Sequence, residues 1–290
     1  MVRARDVSYA YAPLPADEQP RPRPLRLHYD VDSLDNRDPW FIEQVVRVVD
    51  RLMRPYHRSE IAGLDNVPHG AALLVGNHNG GSMTIDSFLF GAALYRARGL
   101  DALPHILTHD FALRLPFLHQ VFSKVGCVRA SRDNARRIFD AGHKVLVYPG
   151  GSEESMRPFR ERNKIRFHGH RGYVRIALQH GVPIVPLVAQ GSHSIFVVIH
   201  DGKWLARMLG VDRLWRVKTW PLVVSLPWGF TPFPPPLYLP LPAKIRMEVL
   251  PPIAFDASGP EAARDEGYVK QCARVVETRM QEALERLARR

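Results

Sequence analysis

The chain has 290 residues, 46% of them hydrophobic and 24% charged, which is enough for one large domain with a buried core. Its formal net charge of +11 predicts a surface that attracts anions: nucleic acid, anionic lipid headgroups or phosphorylated small molecules. Cys127 and Cys272 stand far apart and lack metal-ligand spacing, which argues against a structural zinc site and favours a reducing compartment.

The N-terminal region predicts an arm without a targeting signal. It contains basic residues but no apolar stretch of the kind a signal peptide needs. Residues 1–37 are rich in proline and poor in large apolar clusters, so we expect a weakly ordered arm, followed by a single domain over residues 38–290. No run approaches the ~20 uncharged apolar residues of a membrane-spanning helix, so a role on lipid predicts a protein that lies on the bilayer.

A helix is predicted from residue 38 to about residue 54. Asp38 is suited to its N-cap, Pro39 to its first turn, and Pro55 ends it. Apolar residues cover a broad face, opposite the charged ones. This pattern fits either a helix docked on the core or a basic amphipathic helix in a membrane interface.

Residues 71–90 combine a predicted buried strand with a polar turn. The apolar run at 71–75 is typical of a strand covered on both faces. Gly76 and Asn77 end the run, His78 follows, and Asp86 stands at the head of the next apolar stretch, which predicts a helix. Because ligands of open α/β sheets bind outside the carboxyl ends of strands, His78 is well placed for chemistry.

Strands and helices alternate along the following sequence. Further strands are predicted at 56–67, 103–107, 125–129, 144–148 and 183–188, and helices at 86–99, 134–141 and 172–180, with a broken helix at 111–122. The alternation predicts an α/β fold with a largely parallel, mixed central sheet flanked by helices. Polar or glycine-rich turns follow three of these strands, and we expect them on one edge of the sheet.

Residues 203–242 are rich in tryptophan and proline. Four tryptophans lie there among basic residues, which fits core packing and a membrane-interface surface equally, because indole rings settle at the level of lipid headgroups. A half-buried strand is predicted beyond it at 244–250, and a charged amphipathic helix at 260–289.

Common catalytic signatures are absent from the sequence. It has no GxSxG elbow, GxxxxGK[ST] phosphate loop, GxGxxG or HExxH, which argues against standard α/β-hydrolases, P-loop enzymes, dinucleotide enzymes and zincins. What remains is His78 with Asp86, Arg129 at the end of a predicted strand, and a Pro-Gly-Gly turn at 149–151.

With these residues the chain resembles the glycerolipid, or lysophospholipid, acyltransferases, and most of all bacterial members akin to monoacylglycerol and diacylglycerol acyltransferases. Each block of that family is a weak signal alone, but four occur here in order between about residues 61 and 255. They are the histidine–aspartate block from Gly76 to Asp86, Gly-x-x-Arg at 126–129, Tyr-Pro-Gly-Gly at 148–151, and the run 171–186 that ends in Val-Pro.

The resemblance implies a glycerol-3-phosphate acyltransferase-like fold and a direct transfer of a fatty acyl group. The donor would be acyl-CoA or an acyl-carrier protein, the acceptor a hydroxyl of a glycerolipid or lysophospholipid, with no covalent intermediate. His78 would take the hydroxyl proton, and Asp86 would fix the imidazole tautomer and stabilise the imidazolium. The thioester is a co-substrate, and no resident cofactor or metal is expected.

The same resemblance implies roles for residues of the other blocks. Arg129 would hold a phosphate or another polar headgroup of the acceptor. The amides of Gly150 and Gly151 would bind the acceptor or the thioester oxygen. Further substrate contacts are implied for five residues: Asn77, Ser152, Glu153, Val185 and Pro186.

Two departures from the family pattern bear on the pairing of His78 with Asp86 and on the identity of the acyl acceptor. Seven residues separate His78 from Asp86 where the pattern has four, and Met83 stands at the usual aspartate. Gly-Gly-Ser-Glu at 150–153 replaces the Glu-Gly-Thr-Arg of many phosphatidate-forming members. That replacement leaves a neutral glyceride or another alcohol open as the acceptor.

Other readings of the same residues stay open. A non-catalytic protein would bind lipid or nucleic acid through its basic surface, although no recognisable nucleic-acid module occurs. A thioesterase would use the same histidine and aspartate with water as acceptor. The basic run 157–175 fits a solvated face or a patch for coenzyme A phosphates or anionic lipid. We expect an acyltransferase that is peripheral to the cytoplasmic side of a membrane and does not bind nucleic acid.

Overall fold

A computed structural model describes residues 21, 24, 28–78, 80–81, 83–110, 113, 116–208, 210, 220–233, 235 and 238–290. The strands within these residues are β1 (Glu60–Ala62), β2 (Ala72–Gly76), β3 (His105–Thr108), β4 (Cys127–Arg129), β5 (Lys144–Val147), β6 (Ile184–Gln190), β7 (Val197–His200), β8 (Leu222–Ser225), β9 (Gly229–Thr231) and β10 (Arg246–Val249). The helices are α1 (Pro39–Val48), α2 (Arg54–Tyr56), α3 (Ile85–Arg98), α4 (Pro116–Val125), α5 (Arg132–Asp140), α6 (Gly151–Ser155), α7 (Gly172–His180), α8 (Lys203–Met208), α9 (Pro260–Arg264) and α10 (Glu266–Ala288).

Seven strands form the central sheet, in the order β1-β10-β6-β2-β5-β3-β4. Every neighbouring pair is parallel except β10 with β6, which is antiparallel. The predicted largely parallel, mixed sheet flanked by helices is confirmed. β2 is the middle strand, so the stretch that carries His78 leaves the sheet at its centre.

Alternate residues of β2 enter two separate layers of core. Ala72 and Leu74 belong to the layer shared with α1 and α3, and Leu73 and Val75 to the layer shared with α5, α7 and α10. All five residues of the strand are buried. A continuous apolar run is the sequence pattern that such a two-sided strand requires, because both faces of a parallel sheet are covered by helices.

α1 begins as predicted and docks on the core. The Asp38 side chain accepts the N–H of Phe41 at 3.1 Å, and the helix continues through a π-helical turn, Val49–Met53, into α2. Ile42 and Val46 are buried in the layer shared with α3. The docked arrangement is therefore confirmed, while Leu52 in the π-helical turn stays 64% exposed.

Three parts of the chain differ from the sequence-based expectation. The strand predicted at 56–67 is only β1, because Gly63 takes a left-handed conformation and a 3₁₀ turn follows it. The C-terminal helix is divided at Asp265, which caps α10 by accepting the N–H of Tyr268. β7, β8 and β9 form a second, antiparallel sheet that the sequence analysis did not predict.

Most of the predicted N-terminal arm lies outside the described residues. The described part is bound to the domain from Tyr29 on: Tyr29 N–H donates to Nε2 of His119 at 2.9 Å, and Arg129 N–H to the carbonyl of Val31 at 3.0 Å. Residues 28–37 therefore run along the edge strand β4. Within the described ranges, no helix has both the length and the apolarity needed to cross a membrane.

Candidate active site

Three turns meet at one edge of the central sheet. β2 lies between β5 and β6 and is parallel to both, so the carboxyl ends of the three strands point the same way. The turn after β2 contacts both of the others: Gly80 N–H donates to the Ser192 carbonyl at 3.3 Å, and Gly81 N–H to the Ser155 carbonyl at 3.1 Å. The expected gathering of polar turns is confirmed.

The first residues beyond β2 are fixed by buried contacts. Gly76 leaves no room for a side chain, because a Cβ there would overlap the ring of Tyr148. The Asn77 amide is buried and binds the backbone of Ala189 twice, donating from Nδ2 at 2.9 Å and accepting at Oδ1 at 2.8 Å. These bonds attach the start of the turn to β6. A substrate contact for Asn77 stays a prediction.

His78 follows directly and is half-buried. Its backbone N–H donates to Oε2 of Glu154 at 3.1 Å, and its ring lies against the ring of Tyr148 with the centroids 5.2 Å apart. Glu154 belongs to α6, in the turn after β5, and is completely buried. The place of the histidine is thus set by residues far from it in sequence.

Asp86 lies in the first turn of α3 and is 1% exposed. Its Oδ1 accepts the N–H of Ser87 at 2.9 Å. Its Oδ2 is buried and has no hydrogen-bond partner among the described residues. Burial raises the pKa of Asp86 to about 7, and the nearby charge of Glu154 contributes to the rise. Pairing of Asp86 with His78 stays a prediction.

Glu154 and Arg157 form a buried ion pair beside His78. Arg157 Nη1 lies 2.9 Å from Oε1 of Glu154, and the side chains are 3% and 0% exposed. Burial raises the pKa of Glu154 to about 7, and Arg157 opposes that rise. A Cβ on Gly150 would overlap the Glu154 carboxylate. Glu154 thus fills the space of a side chain at position 150, where many phosphatidate-forming acyltransferases carry glutamate.

We expect Gly150→Ala to destabilise the protein by about 1–3 kcal/mol, because the added methyl group forces the buried Glu154 carboxylate aside. The methyl group would also lie 2.7 Å from the Arg166 carbonyl oxygen, which leaves it no free direction. Urea unfolding measures the change. Gly91→Ala is the matched control: Gly91 is in α3 with open space at its Cβ, so alanine there should be neutral or stabilising. Equal stability of the two variants would contradict the assigned overlap.

The other predicted residues of the glycine-rich turn are placed around Glu154. The Gly151 N–H donates to the Tyr148 carbonyl at 3.2 Å, and the Ser152 carbonyl accepts the Ser155 hydroxyl at 3.1 Å. Glu153 lies 3.7 Å from Lys203 of α8. The bond to Tyr148 engages the Gly151 amide, and binding of a substrate oxygen by the Gly150 amide stays a prediction.

Val185 and Pro186 lie inside the sheet, away from its carboxyl edge. They pair with Leu74 and Val75 of β2, are buried, and precede the end of β6 at Gln190. The sheet therefore does not bring their side chains to His78. Contacts of Val185 and Pro186 with a substrate stay predictions.

Arg129 stands at the carboxyl end of β4, three strands from β2. Strand spacing puts about 14 Å between the two strands. Its guanidinium binds both carboxylate oxygens of Asp32, with Nε 2.9 Å from Oδ1, and Asn134 Nδ2 also donates to Asp32 at 2.7 Å. The predicted headgroup-binding cation is thus engaged by a carboxylate of this chain.

Sequence reasoning predicted no site role for five residues that lie here: Glu154, Arg157, His193, Ser87 and Tyr148. His193, in the turn after β6, is 4% exposed, and burial next to Arg157 and His78 lowers its pKa well below the usual value. The hydroxyls of Ser87 and Tyr148 are 2.5 Å apart. His193 carried a usable signal, since it follows a buried strand and a glycine just as His78 does. No cluster of metal-binding side chains is found in the described part of the chain.

The comparisons with known proteins agree with this fold. Residues 58–190 match the family model described as Acyltransferase. That range contains the edge with His78, Asp86, Glu154 and Arg129.

Two relatives cover most of this chain. An uncharacterised protein of Mycobacterium tuberculosis is 30% identical over 208 residues, which are 71% of this chain and 57% of that protein. A mouse protein named DGAT1/2-independent enzyme synthesizing storage lipids is 25% identical over 201 residues, 69% of this chain and 54% of its own. The chain thus spans a little over half the length of the relatives it matches.

A solved structure shares the fold. The crystal structure of the 1-acyl-sn-glycerophosphate acyltransferase PlsC from Thermotoga maritima superposes with a TM-score of 0.53, at 15% identity, over 87% of this chain and 82% of that one. At this identity the likeness speaks for the fold alone. The family match identifies residues 58–190 of this chain as an acyltransferase domain.

Proposed function

We propose that the protein transfers a fatty acyl group from an acyl thioester, acyl-CoA or an acyl-carrier protein, to a hydroxyl of a glycerolipid. The acceptor oxygen attacks the thioester carbonyl carbon while its proton passes to His78. The carbon–sulfur bond then breaks, and the thiolate takes the proton from the imidazolium, which leaves an ester and a free thiol. No protein nucleophile and no resident cofactor is needed for these steps.

The observation that best supports this function is the environment of His78. The histidine is half-buried at the carboxyl end of β2 and is held through its backbone by Glu154, and the buried carboxyl of Asp86 lies at the start of α3, where the same turn ends. Asp86 Oδ2 is buried and meets the hydrogen-bond criteria with no described residue, although the Ser192 hydroxyl is near enough to lower the pKa of the Asp86 carboxyl. We infer that this oxygen stabilises the imidazolium when the substrate proton arrives, since a carboxylate beside a histidine serves that purpose in hydrolases.

The paired cations around the site favour a neutral acceptor. Arg129 binds Asp32, Arg157 binds Glu154, and Lys203 lies 3.6–3.7 Å from Asp201 and Glu153. At each of these three cations a phosphate on the acceptor would compete with a carboxylate of this chain. We therefore infer a monoacylglycerol, a diacylglycerol or another uncharged alcohol of lipid as the acceptor.

An assay with purified protein tests the proposal. The protein is supplied with isotope-labelled acyl-CoA, or with acyl-carrier protein, and with a panel of acceptors. Lipid mass spectrometry should detect labelled ester with neutral glycerides, at a rate at least about tenfold above that with lysophosphatidate. Free fatty acid without ester would instead identify a thioesterase. Binding of lipid or nucleic acid without any turnover would identify a binding protein.

We expect Asp86→Asn to change the pH dependence of stability. The raised pKa of about 7 means that the folded state of the wild type holds the Asp86 proton more tightly than the unfolded state. Stability therefore falls as pH rises from about 4 through about 7, and asparagine lacks this loss. Between pH 5 and pH 8 the variant should gain about 2–3 kcal/mol relative to wild type. If the unfolding free energies of wild type and variant change in parallel with pH, Asp86 has no raised pKa and the prediction is wrong.

A lipid acceptor also implies a place of action. We propose that the protein is peripheral to the cytoplasmic side of a membrane, where acceptor and donor meet. Support comes from its net charge of +11 and from the apolar side chains that its second sheet exposes.

A further inference from the structure

The exposed apolar side chains are concentrated in two segments of the chain, residues 48–56 and 199–239. In the described part of the chain thirteen large apolar side chains are exposed, and all but Val275 belong to two neighbouring segments. These twelve are Val48, Leu52, Tyr56, Ile199, Trp204, Met208, Val224, Leu226, Trp228, Phe230, Phe233 and Leu239. Scattered apolar residues are ordinary on a protein surface, but a contiguous group marks an interaction site.

The second sheet presents an apolar outer face. Val223 is buried in the core, whereas Val224 points away from it and lies opposite Phe230 of β9. Leu226, two residues on, bridges to Leu239 with a hydrogen bond of 2.8 Å. An antiparallel sheet with one face on the core normally has polar residues on the other. Here that face is formed by Val224, Leu226, Trp228, Phe230 and Leu239, and we call it the outer face.

The exposed part of the N-terminal helices continues the outer face. The hydroxyl of Tyr56 donates to the carbonyl of Pro240 at 2.7 Å, next to Leu239, and Arg58 donates to the carbonyl of Pro242 at 3.1 Å. Leu52 is one turn before Tyr56. The outer face and the α1–α2 segment are therefore adjacent.

Exposed basic residues lie on the N-terminal segment beside the outer face and among the apolar residues of α8. Arg51, Arg54 and Arg58 are exposed on the N-terminal segment, and in α8 Lys203 and Arg207 alternate with Trp204 and Met208. Tryptophan and apolar residues beside lysine and arginine match the boundary between the headgroups and acyl chains of a bilayer. Basic residues in this position are attracted to the negative surface of an anionic membrane.

The outer face adjoins the site of His78. Tyr238, next to Leu239, accepts the N–H of Met83 at 3.1 Å through its hydroxyl, and its ring packs on that of Phe196 at 4.4 Å. A Cβ on Gly81 would overlap the same hydroxyl. The residues that hold the turn from His78 to Asp86 therefore sit directly behind the surface.

We propose that the outer face and its basic rim form the membrane-docking surface of this protein, with an anionic lipid bilayer as the occupant. This assignment rests on the proposed function, because it supplies the route by which a lipid acceptor reaches His78. Docking buries the apolar face at acyl-chain level and sets the arginine and lysine side chains among the headgroups.

Vesicle flotation with purified full-length chain, without acyl donor, tests the surface. Wild type should float with vesicles of phosphatidylcholine containing phosphatidylglycerol, less with phosphatidylcholine alone, and less as salt rises. The double variant W228E/F230E should bind at least about tenfold more weakly. V275E is the matched control, because it adds a glutamate at the exposed apolar residue outside the patch, and it should bind as wild type does.

Three outcomes would contradict the assignment of the outer face as a membrane-docking surface. The assignment is wrong if the wild type does not float or if the double variant floats normally. It is also wrong if the double variant only loses self-association in sedimentation, because the occupant would then be a second copy of the chain. If the glutamates lower the melting temperature, W228S and F230S provide the same comparison. Ester formation with detergent-dispersed acceptor separates the two proposals. We expect W228E/F230E to lose flotation but to keep acyl transfer in detergent. If the wild type shows no transfer in detergent, that result refutes only the proposed function.

Discussion

His78→Ala is expected to lower acyl transfer by about 10²–10⁴-fold while the protein stays folded, because the variant loses the group that accepts the hydroxyl proton. The backbone N–H of residue 78 that binds Glu154 is kept by alanine, so the turn retains its anchor. The measurement is the initial rate of ester formation with a neutral glyceride, together with the melting temperature.

His180→Ala is the control for this substitution. His180 ends α7 just before β6 begins, so it lies at the opposite edge of the sheet from His78. Its loss should leave transfer within about twofold of wild type. Undiminished transfer by His78→Ala would refute the general-base mechanism, and the buried His193 would then be the next histidine to substitute.

Glu154→Ala is expected to destabilise the protein by about 3–5 kcal/mol, because it leaves the guanidinium of Arg157 buried without its carboxylate. It also removes the acceptor of the His78 N–H, so transfer should fall through kcat more than through KM. Urea unfolding and steady-state kinetics measure the two effects.

The double variant E154L/R157M separates the two roles of Glu154. Removing both charges of a buried pair is often neutral for stability, so the double variant should recover most of the lost unfolding free energy. Its transfer should stay low, because leucine offers no acceptor to the backbone of His78. If the double variant recovers full acyl transfer, Glu154 has only a structural role. If the double variant remains unstable, the ion pair itself stabilises the fold.

The role of Glu154 at the edge of the sheet is not evident from its position in the sequence. Many phosphatidate-forming members carry glutamate at the position of Gly150, and in this chain the Glu154 carboxylate of α6 lies in that space. The same carboxylate anchors His78, which links the turn after β5 to the turn after β2.

The sequence by itself determined the fold class and the position of His78. Continuous apolar runs identify β2, β5 and β6, and glycines and polar residues identify their ends, because these signals depend only on neighbours in the chain. The parallel order followed from the alternation of strands and helices. Asp38 and Pro39 likewise fixed the start of α1 through local hydrogen bonding.

Only the tertiary structure decided which side chains meet. The bond from His78 to Glu154 joins residues 76 positions apart, and the bridge from Asn77 to Ala189 joins residues 112 apart. The pairing of Arg129 with Asp32 and the apolar outer face depend in the same way on which segments lie side by side. Such contacts depend on strand order and register, which the packing of the whole core sets, whereas the local pattern of residues specifies only where each strand and helix begins and ends.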